Sequence, residues 1–251
     1  MMLFPKQLKP LMFAQMRKRG RAARSVFAFL TGVAATLIFP PYAGRWEGYV
    51  ALIAFLAMLL GEYKDNGGKC GRENGSRESC CPGSNGDGSS DDRENGGENN
   101  GRSGQENNGR PVWRKWFGTA YVFGFSFYAV GFSWISNALL IDGNKFAAFI
   151  PAVFAATGLF FGLFWAVPAA LAAGGRNIYA RALLFCAWFV FFEWVRSFIF
   201  TGFPWNLLGT ALAFDARAIQ GAAYIGTYGL SLLLLLMSCG AAILVSCAFQ
   251  K

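Results

Sequence analysis

Glu193 and Arg196 place an acid and a base three positions apart in an apolar stretch of the sequence. Charged side chains are costly in a membrane-length segment, so they usually pair and often mark a functional site. Residues i and i+3 share one helix face, so we expect an ion pair. The helix should end soon afterwards, because the chain continues Gly202-Phe203-Pro204-Trp205 and proline disfavours helical geometry in the residue before it. The pair could take part in chemistry, or could hold a helix bundle together beside a belt of aromatic residues.

The chain offers few partners for chemistry. It has no histidine, which excludes Ser-His-Asp and Cys-His catalysis and every histidine-ligated metal site. Cys70, Cys80 and Cys81 lack a paired C-x₂-C spacing, and the other three cysteines lie in apolar stretches, where cysteine usually packs as a small hydrophobe. No phosphate-binding G-x-x-x-x-G-K-[ST] loop is present. We therefore predict no metal and no cofactor.

Composition indicates a membrane protein. Apolar residues make up 54% of the chain and charged residues only 15%, against about 25% charged in typical globular domains. The net charge of +9 is uneven, because residues 64–111 carry seven Lys/Arg and nine Asp/Glu. Positive charge beside apolar segments is typical of membrane topology. No nucleic-acid-binding pattern accompanies it, so we expect no nucleic-acid partner.

The apolar stretches predict an all-α integral membrane protein, a polytopic bundle of about six transmembrane helices. Pro40 and Pro41 should end the first helix, because proline lacks an N–H and fixes φ. The second helix is short for a full span. The predicted helices cover about 24–41, 46–62, 116–136, 146–173, 178–200 and 222–249.

The Lys/Arg distribution predicts the orientation. With the N-terminus inside, 19 Lys/Arg fall on the inner side and 4 on the outer side, which favours a cytoplasmic N-terminus. Six spans then return the C-terminus to the cytoplasm. A cleaved signal peptide over residues 1–42 is the rival interpretation, but Phe39-Pro40-Pro41 stands where a small-residue cleavage site would be expected.

These patterns divide the chain into four parts. Residues 1–23 form a basic cytoplasmic N-terminus, 24–62 hold helices one and two, and 116–251 hold helices three to six. Between them, 63–115 is predicted to be a disordered cytoplasmic loop, because 64–111 has almost no side chain that could build a core. This low-complexity loop could be a protein-binding segment, or an insertion that a surface loop tolerates.

The orientation places the Glu193 region near the outer end of the fifth helix. There Arg196 can extend toward lipid phosphates while Glu193 pairs with it. Trp194 and Trp205 suit the membrane interface, where an indole keeps its N–H in water. We therefore expect an irregular, aromatic outer loop after the helix.

Four sequence blocks resemble the membrane region of bacterial apolipoprotein N-acyltransferases. Leu37–Tyr42 is similar to the end of the family's first helix, and Phe123–Ile135 to its Gly/Phe-rich third helix. Glu193–Trp205 resembles its Glu-x-x-Arg helix end followed by Thr-Gly-Phe-Pro-Trp, which is the most specific of the four. Ile225–Ser231 resembles its Gly-rich sixth-helix start. The blocks follow the family's order and are spread over nearly the whole chain apart from the loop and the N-terminal segment.

The resemblance implies an acyltransferase of lipoprotein biosynthesis in the bacterial inner membrane. Such enzymes transfer an acyl chain from a phospholipid to the α-amino group of a diacylated lipoprotein, so its expected partners are phospholipid and lipoprotein. The reaction passes through a thioester on a cysteine of a Glu-Lys-Cys set in an extracytoplasmic nitrilase-like domain. That domain follows a seventh helix in the family, and the sequence given ends after the sixth predicted helix. We therefore expect a truncated membrane domain that is not catalytic alone.

No catalytic residue is carried over from the resemblance. The motif positions carried over as a lipid or lipoprotein site are Glu193, Arg196, Gly202, Phe203, Pro204 and Trp205. Three alternatives stay open at this point. The chain could work with a separately encoded nitrilase-like domain, it could be an inactive remnant, or it could be a stand-alone lipid-binding or transporter-like membrane protein.

Overall fold

The structure, a computed structural model, describes residues 21–39, 45–61, 111–141, 145–199, 202 and 205–248. Within these ranges the chain is helical and contains no strand. The α-helices are α1 Arg21–Ala35, α2 Trp46–Gly61, α3 Val112–Gly131, α4 Ile150–Phe161, α5 Leu163–Ala172, α6 Ile178–Arg196, α7 Ala216–Ile219 and α8 Ala222–Ala248. Short 3₁₀ helices follow α1, follow α3, precede α4 and precede α7.

The all-α membrane fold predicted from the sequence is confirmed. Five described segments are long and apolar enough to cross a membrane: Arg21–Ile38, Val112–Leu140, Ala147–Ala172, Ile178–Arg196 and Ala222–Ser246. The second predicted helix, α2, is apolar but has only 16 residues. At 1.5 Å per residue it is about 24 Å long, short of a bilayer core of about 30 Å.

Helix α3 begins at Val112, four residues before the predicted start. Pro111 occupies its N-cap position, so the missing proline N–H leaves no gap in the helix hydrogen bonding. Residues 112–115 therefore belong to the bundle and not to the loop in which the sequence placed them. The rest of the predicted disordered loop, 63–110, lies outside the described residues.

The fourth predicted helix consists of two segments, α4 and α5, which meet at Gly162. Pro151 stands in the first turn of α4, where its missing N–H is tolerated, and Pro168 lies inside α5. Helix α8 is also interrupted near its start, because Gly226 has φ 71° and ψ 172°. Only glycine adopts such a backbone conformation readily, so the Gly-rich start of this helix has a conformational reason.

An aromatic core joins the helices, and the indole of Trp165 on α5 lies at its centre. The Trp165 ring lies 4.7 Å from Phe123 of α3 and 4.5 Å from Phe189 of α6, measured between ring centroids. Phe55 of α2 stacks on Phe123 at 3.8 Å. These rings are buried, and well-oriented aromatic pairs each add about 0.5–1.5 kcal/mol to the stabilisation from burying their surface.

Helices α1 and α3 approach each other closely at Gly32. A Cβ placed on Gly32 would lie 2.4 Å from the Phe123 carbonyl oxygen, closer than any real side chain allows. Small residues allow such close contact between membrane helices, where dispersion contributes much of the attraction. The two segments run in the same direction, because Gly32 lies against Phe123 whereas Thr36, just after α1, lies near Gly131 at the end of α3.

The two ends of the bundle differ in charge. At the end where α1, α3 and α6 begin, which we call the basic end, the described charged residues are all cations: Arg21, Arg24, Arg114, Lys115, Arg176 and Arg181. At the opposite end, which we call the site end, the described carboxylates Glu47, Glu193 and Asp215 lie with four cations.

Candidate functional site

Glu193 and Arg196 lie in the last turn of α6 and both point into the bundle. Their side chains are 3% and 1% exposed, respectively. Helix α6 is capped at its other end, where the Asn177 side chain accepts a hydrogen bond from the Ala180 N–H. The rest of the helix is apolar and packs against α5 and α8, which brings its final turn to the site end.

Arg196 is held by α3 and by the loop that follows α6. Its Nη1 donates to the Tyr128 hydroxyl at 2.6 Å, and its Nη2 donates to the Asn206 carbonyl at 3.4 Å. The guanidinium carbon also lies 5.2 Å from the Tyr128 ring centroid and 6.0 Å from the Phe164 ring centroid. Cation–π contacts of this kind strengthen when water is excluded, so the aromatic surroundings help to accommodate the buried charge.

Glu193 holds the start of the 3₁₀ helix Leu208–Phe214. Its Oε1 accepts a hydrogen bond of 2.7 Å from the Leu208 N–H, and the Ser231 hydroxyl of α8 accepts one of 2.7 Å from the Gly209 N–H. Two of the N–H groups that a helix start leaves unpaired are thereby satisfied. The loop lies close on α8 here, because a Cβ on Gly209 would be 2.3 Å from the Thr227 carbonyl oxygen.

The predicted ion pair between Glu193 and Arg196 does not form in the described part of the chain. Each side chain has other partners, and no contact within 4 Å joins the carboxylate to the guanidinium. Arg196 also does not extend toward lipid phosphates, because its side chain is buried. Polar groups of α3 and the loop take the place of the ion pair, while Oε2 of Glu193 and Nε of Arg196 have no hydrogen-bond partner among the described residues.

The loop after α6 is irregular, as the sequence predicts. The Ser197 hydroxyl hydrogen-bonds the Tyr228 hydroxyl of α8, and the Asn206 side chain donates to the Gly131 carbonyl at 3.3 Å. Gly202 has φ 93° and Asn206 has φ 52°, both in the region that favours glycine and asparagine. Phe203 and Pro204 lie outside the described residues. The structure therefore brings Glu193, Arg196 and Gly202 to one end of the bundle.

An exposed pair of tryptophans completes the site end. Trp205 of the loop and Trp134 after α3 lie 5.4 Å apart between ring centroids, and they are 54% and 46% exposed. We call this pair the tryptophan pair. Indole rings at a membrane end sit well at the lipid–water interface, because the ring is apolar and the N–H can be hydrated. Both rings therefore lie at the surface of the site end.

Three partners of the motif were not assigned a role from the sequence. Tyr128 and Trp134 lie in the block Phe123–Ile135, and Ser231 lies in the block Ile225–Ser231. The sequence identifies both blocks only by their resemblance to the family's membrane region. A polar hydroxyl in an apolar helix is the signal that could have found Tyr128 and Ser231, since such groups need a partner. The structure brings these blocks and Glu193–Trp205 together at one buried polar cluster, formed by Tyr128, Glu193, Arg196, Asn206 and Ser231.

The cluster contains no thiol. Cys186 of α6 and Cys239 of α8 are buried, and their Sγ atoms lie 3.8 Å apart across the helix interface. They contact each other, so neither thiol is presented at the surface. In the part of the chain that the structure describes, no three His, Cys, Asp or Glu side chains come together in a way that could hold a metal ion.

Residues 106–240 match the sequence model of the apolipoprotein N-acyltransferase N-terminal domain. The chain belongs to this family. The match includes the described cluster and three of the four resemblance blocks, whereas Leu37–Tyr42 lies outside it. The family model therefore matches a shorter part of the chain than the four resemblance blocks span.

Curated apolipoprotein N-acyltransferases are similar to about half of the chain. The enzyme of Brucella melitensis biotype 1 is 37% identical over 133 residues, which are 51% of this chain and 24% of the relative. That of Rickettsia bellii is 35% identical over 126 residues, 50% of this chain and 25% of the relative. The enzyme of Rickettsia prowazekii is 35% identical over 121 residues, 48% and 24%. The match thus spans about a quarter of the length of these apolipoprotein N-acyltransferases.

Proposed function

We propose that this chain forms the membrane domain of an apolipoprotein N-acyltransferase and takes part in transfer of an acyl chain from phospholipid to lipoprotein. The observation that carries the proposal is the convergence of three family-like blocks on the buried polar cluster. A bundle that needed only to span a membrane would gain little from burying a carboxylate and a guanidinium, since each is costly to dehydrate.

In this proposal Glu193 and Arg196 are positioning residues. Both are buried and bonded to protein groups, so they hold the loop 205–214 in place and do not touch the substrate. The surface that meets the substrate is the tryptophan pair, together with Gly202 of the same loop. Phe203 and Pro204 remain motif positions proposed from the sequence alone. The exposed indoles suit the acyl chains and interfacial groups of a phospholipid donor and a diacylated lipoprotein.

The reactive groups come from elsewhere in this proposal. Thioester chemistry needs a thiolate, and the described thiols, Cys186 and Cys239, are packed in the core. We propose that a nitrilase-like domain, in the same or another polypeptide, supplies them above the site end. The chain by itself would then bind lipid without transferring an acyl group.

The proposed function also requires one orientation of the helix bundle in the membrane. We propose that the site end faces outward from the inner membrane and that the basic end, with both termini and the loop 63–110, is cytoplasmic. A membrane-impermeant maleimide tests this, because Cys70, Cys80 and Cys81 lie in that loop. They should stay unlabelled in intact spheroplasts and react after lysis, whereas labelling without lysis would reverse the orientation.

A chimera tests the function. Residues 106–240 of this chain replace the aligned segment of the Brucella melitensis enzyme, and N-acylation of a diacylated lipoprotein is followed by mass spectrometry. We expect activity in the chimera and its loss in Trp205→Ala, with Trp194→Ala as an exposed matched control on α6. An inactive chimera present at normal membrane levels, or full activity of Trp205→Ala, would contradict the proposed role.

A further inference from the structure

Two buried atoms of the polar cluster have no hydrogen-bond partner among the described residues. They are the carboxylate Oε2 of Glu193, which accepts hydrogen bonds, and the guanidinium Nε of Arg196, whose N–H donates one. The two side chains are 3% and 1% exposed, so bulk water does not reach these atoms. Buried polar groups are nearly always hydrogen-bonded, and each exception needs a physical explanation.

The Tyr128 hydroxyl supplies a third unmet hydrogen bond in the same cluster. It accepts from Nη1 of Arg196 at 2.6 Å, and a guanidinium cannot accept in return, so the hydroxyl proton needs another acceptor. The described residues offer none, and the tyrosine is 1% exposed. Tyr128 interacts electrostatically with both Glu193 and Arg196, so the three groups share one small region of the bundle.

The carboxylate and the guanidinium are near each other but not in contact. They lie three residues apart on one face of α6, where side chains are neighbours. They interact electrostatically, yet in the described part of the chain no nitrogen–oxygen distance between them is within 4 Å. Polar groups separated by more than about 3.5 Å are often bridged by a water molecule.

The unmet hydrogen bonds specify the chemistry of a ligand. Two of the groups donate and one accepts, so the ligand must be able to accept and to donate. A cation would be repelled by the guanidinium and an anion by the carboxylate. A lipid hydroxyl cannot enter, because the three side chains are almost fully buried. Water meets these requirements, and a buried water typically makes about three hydrogen bonds.

We propose that one internal water molecule binds between α3 and α6 in the polar cluster. It accepts from Arg196 Nε and from the Tyr128 hydroxyl, and it donates to Glu193 Oε2. The ion pair expected from the sequence is then mediated by water. Because water accepts from a protonated carboxyl or an amide as readily as it donates to a carboxylate, the site also tolerates Glu193→Gln. It lies in the interior of the cluster and is independent of the proposed function.

NMR of the full chain in mild detergent, with isotope-labelled arginine side chains, tests this site. Loss of one Nε–H signal in Arg196→Lys assigns that signal. A long-lived bound water gives NOE and ROE cross peaks of opposite sign, whereas proton exchange with solvent gives the same sign in both. We expect opposite signs at Arg196. Arg181 on the same helix is the matched control, because its Nε donates to the Gly175 carbonyl at 2.9 Å and should show no bound-water cross peak.

Two substitutions of similar size separate a bridging water from one that is merely nearby. Glu193→Gln keeps a polar group toward the water and should retain the cross peak at Arg196. Glu193→Met removes that group and should lose it. Tyr128→Phe should retain the cross peak, because Arg196 and Glu193 still hold the water, and this variant excludes a signal relayed by the tyrosine hydroxyl proton.

Four results would overturn the proposal. The Arg196 Nε–H of the unaltered chain could be visible without a bound-water cross peak, or could exchange directly with bulk solvent. The cross peak could persist in Glu193→Met, or could vanish in Tyr128→Phe. If Glu193→Met does not fold, the spectra of the unaltered chain and of Tyr128→Phe still decide.

Discussion

The Arg196 guanidinium of α6 donates a hydrogen bond of 2.6 Å to the Tyr128 hydroxyl of α3, and both side chains are almost fully buried. This bond connects two helices that also meet at their other ends, where the Arg181 guanidinium of α6 lies 5.6 Å from the Trp116 ring centroid of α3. With the tryptophan pair, it links the motif Glu193–Trp205 to the third-helix block. The contribution of this bond to the free energy of unfolding decides whether α3 and α6 form one structural unit at the site end.

A double-mutant cycle measures that contribution as a coupling free energy. Tyr128→Phe and Arg196→Met should each lower the free energy of unfolding in mixed micelles by about 1–3 kcal/mol, because each leaves a buried polar group without its partner. The pair should couple by about 0.5–3 kcal/mol. Tyr121→Phe is the matched control on the same helix, since the Tyr121 hydroxyl bonds the Leu159 carbonyl at an exposed position. Additive losses at Tyr128 and Arg196 would show that the bond contributes nothing.

The role of Glu193 is tested by two substitutions, one that keeps a hydrogen-bond acceptor and one that removes it with most of the side chain. Glu193→Gln keeps an acceptor for the Leu208 N–H, whereas Glu193→Ala removes it. The second oxygen, Oε2, has no partner among the described residues, so replacing it with an amide should cost little. We expect unfolding free energy close to wild type for Gln, and a loss of about 1–3 kcal/mol for Ala.

Hydrogen exchange provides a local measurement for the same variants. In Glu193→Ala the amides of Leu208 and Gly209 should exchange faster, because the start of the 3₁₀ helix loses one of its two acceptors. Ser231→Ala should have the same effect through Gly209. Ser238→Ala, a buried serine further along α8, should leave the loop unchanged. Unchanged protection in Glu193→Ala would remove the basis for its positioning role.

The close contact of α1 with α3 predicts a strong size limit at one glycine. Gly32→Leu places side-chain atoms against the Ser126 hydroxyl and the Phe123 carbonyl, so the helices must separate. Overpacking of this kind typically costs about 1–3 kcal/mol, and we expect a lower yield of folded protein and a lower melting temperature. Gly118→Leu, on an open face of α3, should be tolerated. A normal melting temperature for Gly32→Leu would contradict the packing of α1 on α3.

Two cysteines give a direct test of how α6 and α8 pack. The Sγ atoms of Cys186 and Cys239 are 3.8 Å apart, so a small rotation could bring them within disulfide distance of about 2.05 Å. In a variant whose other four cysteines are serine, mild oxidation should join α6 to α8. Proteolysis in the loop between the two helices should then leave fragments that separate only after reduction. Cys239→Ala is the control, and fragments that separate without reduction in the parent would show a different helix arrangement.

Much of the fold could be predicted from the sequence. Long apolar runs in a membrane have few alternatives to helices, because backbone groups in lipid must bond within their own segment. This is why the predicted helices and the observed ones differ by only a few residues at most ends. The prediction was less accurate where a break depends on local geometry, as at Gly162 between α4 and α5.

The position of the motif could be predicted, but the hydrogen-bond partners of its charged residues could not. Sequence spacing showed that Glu193 and Arg196 share a helix face, and the natural inference was that they bond each other. Tertiary structure supplied better partners, namely Tyr128, Asn206 and the N–H of Leu208. Those residues are 68, 10 and 15 positions away in sequence, and no helical or strand periodicity connects them to the motif.

The order of residues in the cluster has a consequence for biosynthesis. Tyr128 precedes Arg196 by 68 positions, so the helix that receives the guanidinium has already been made when the arginine emerges from the ribosome. The Glu193 carboxylate is different, because Leu208, whose N–H it accepts, is translated after it. The carboxylate therefore has no donor until the loop has been made, and the Ser231 hydroxyl of α8 then accepts from the neighbouring Gly209 N–H. Insertion of α8 is thus the step that completes the cluster, and a nascent chain halted before Leu208 would leave the carboxylate without its donor.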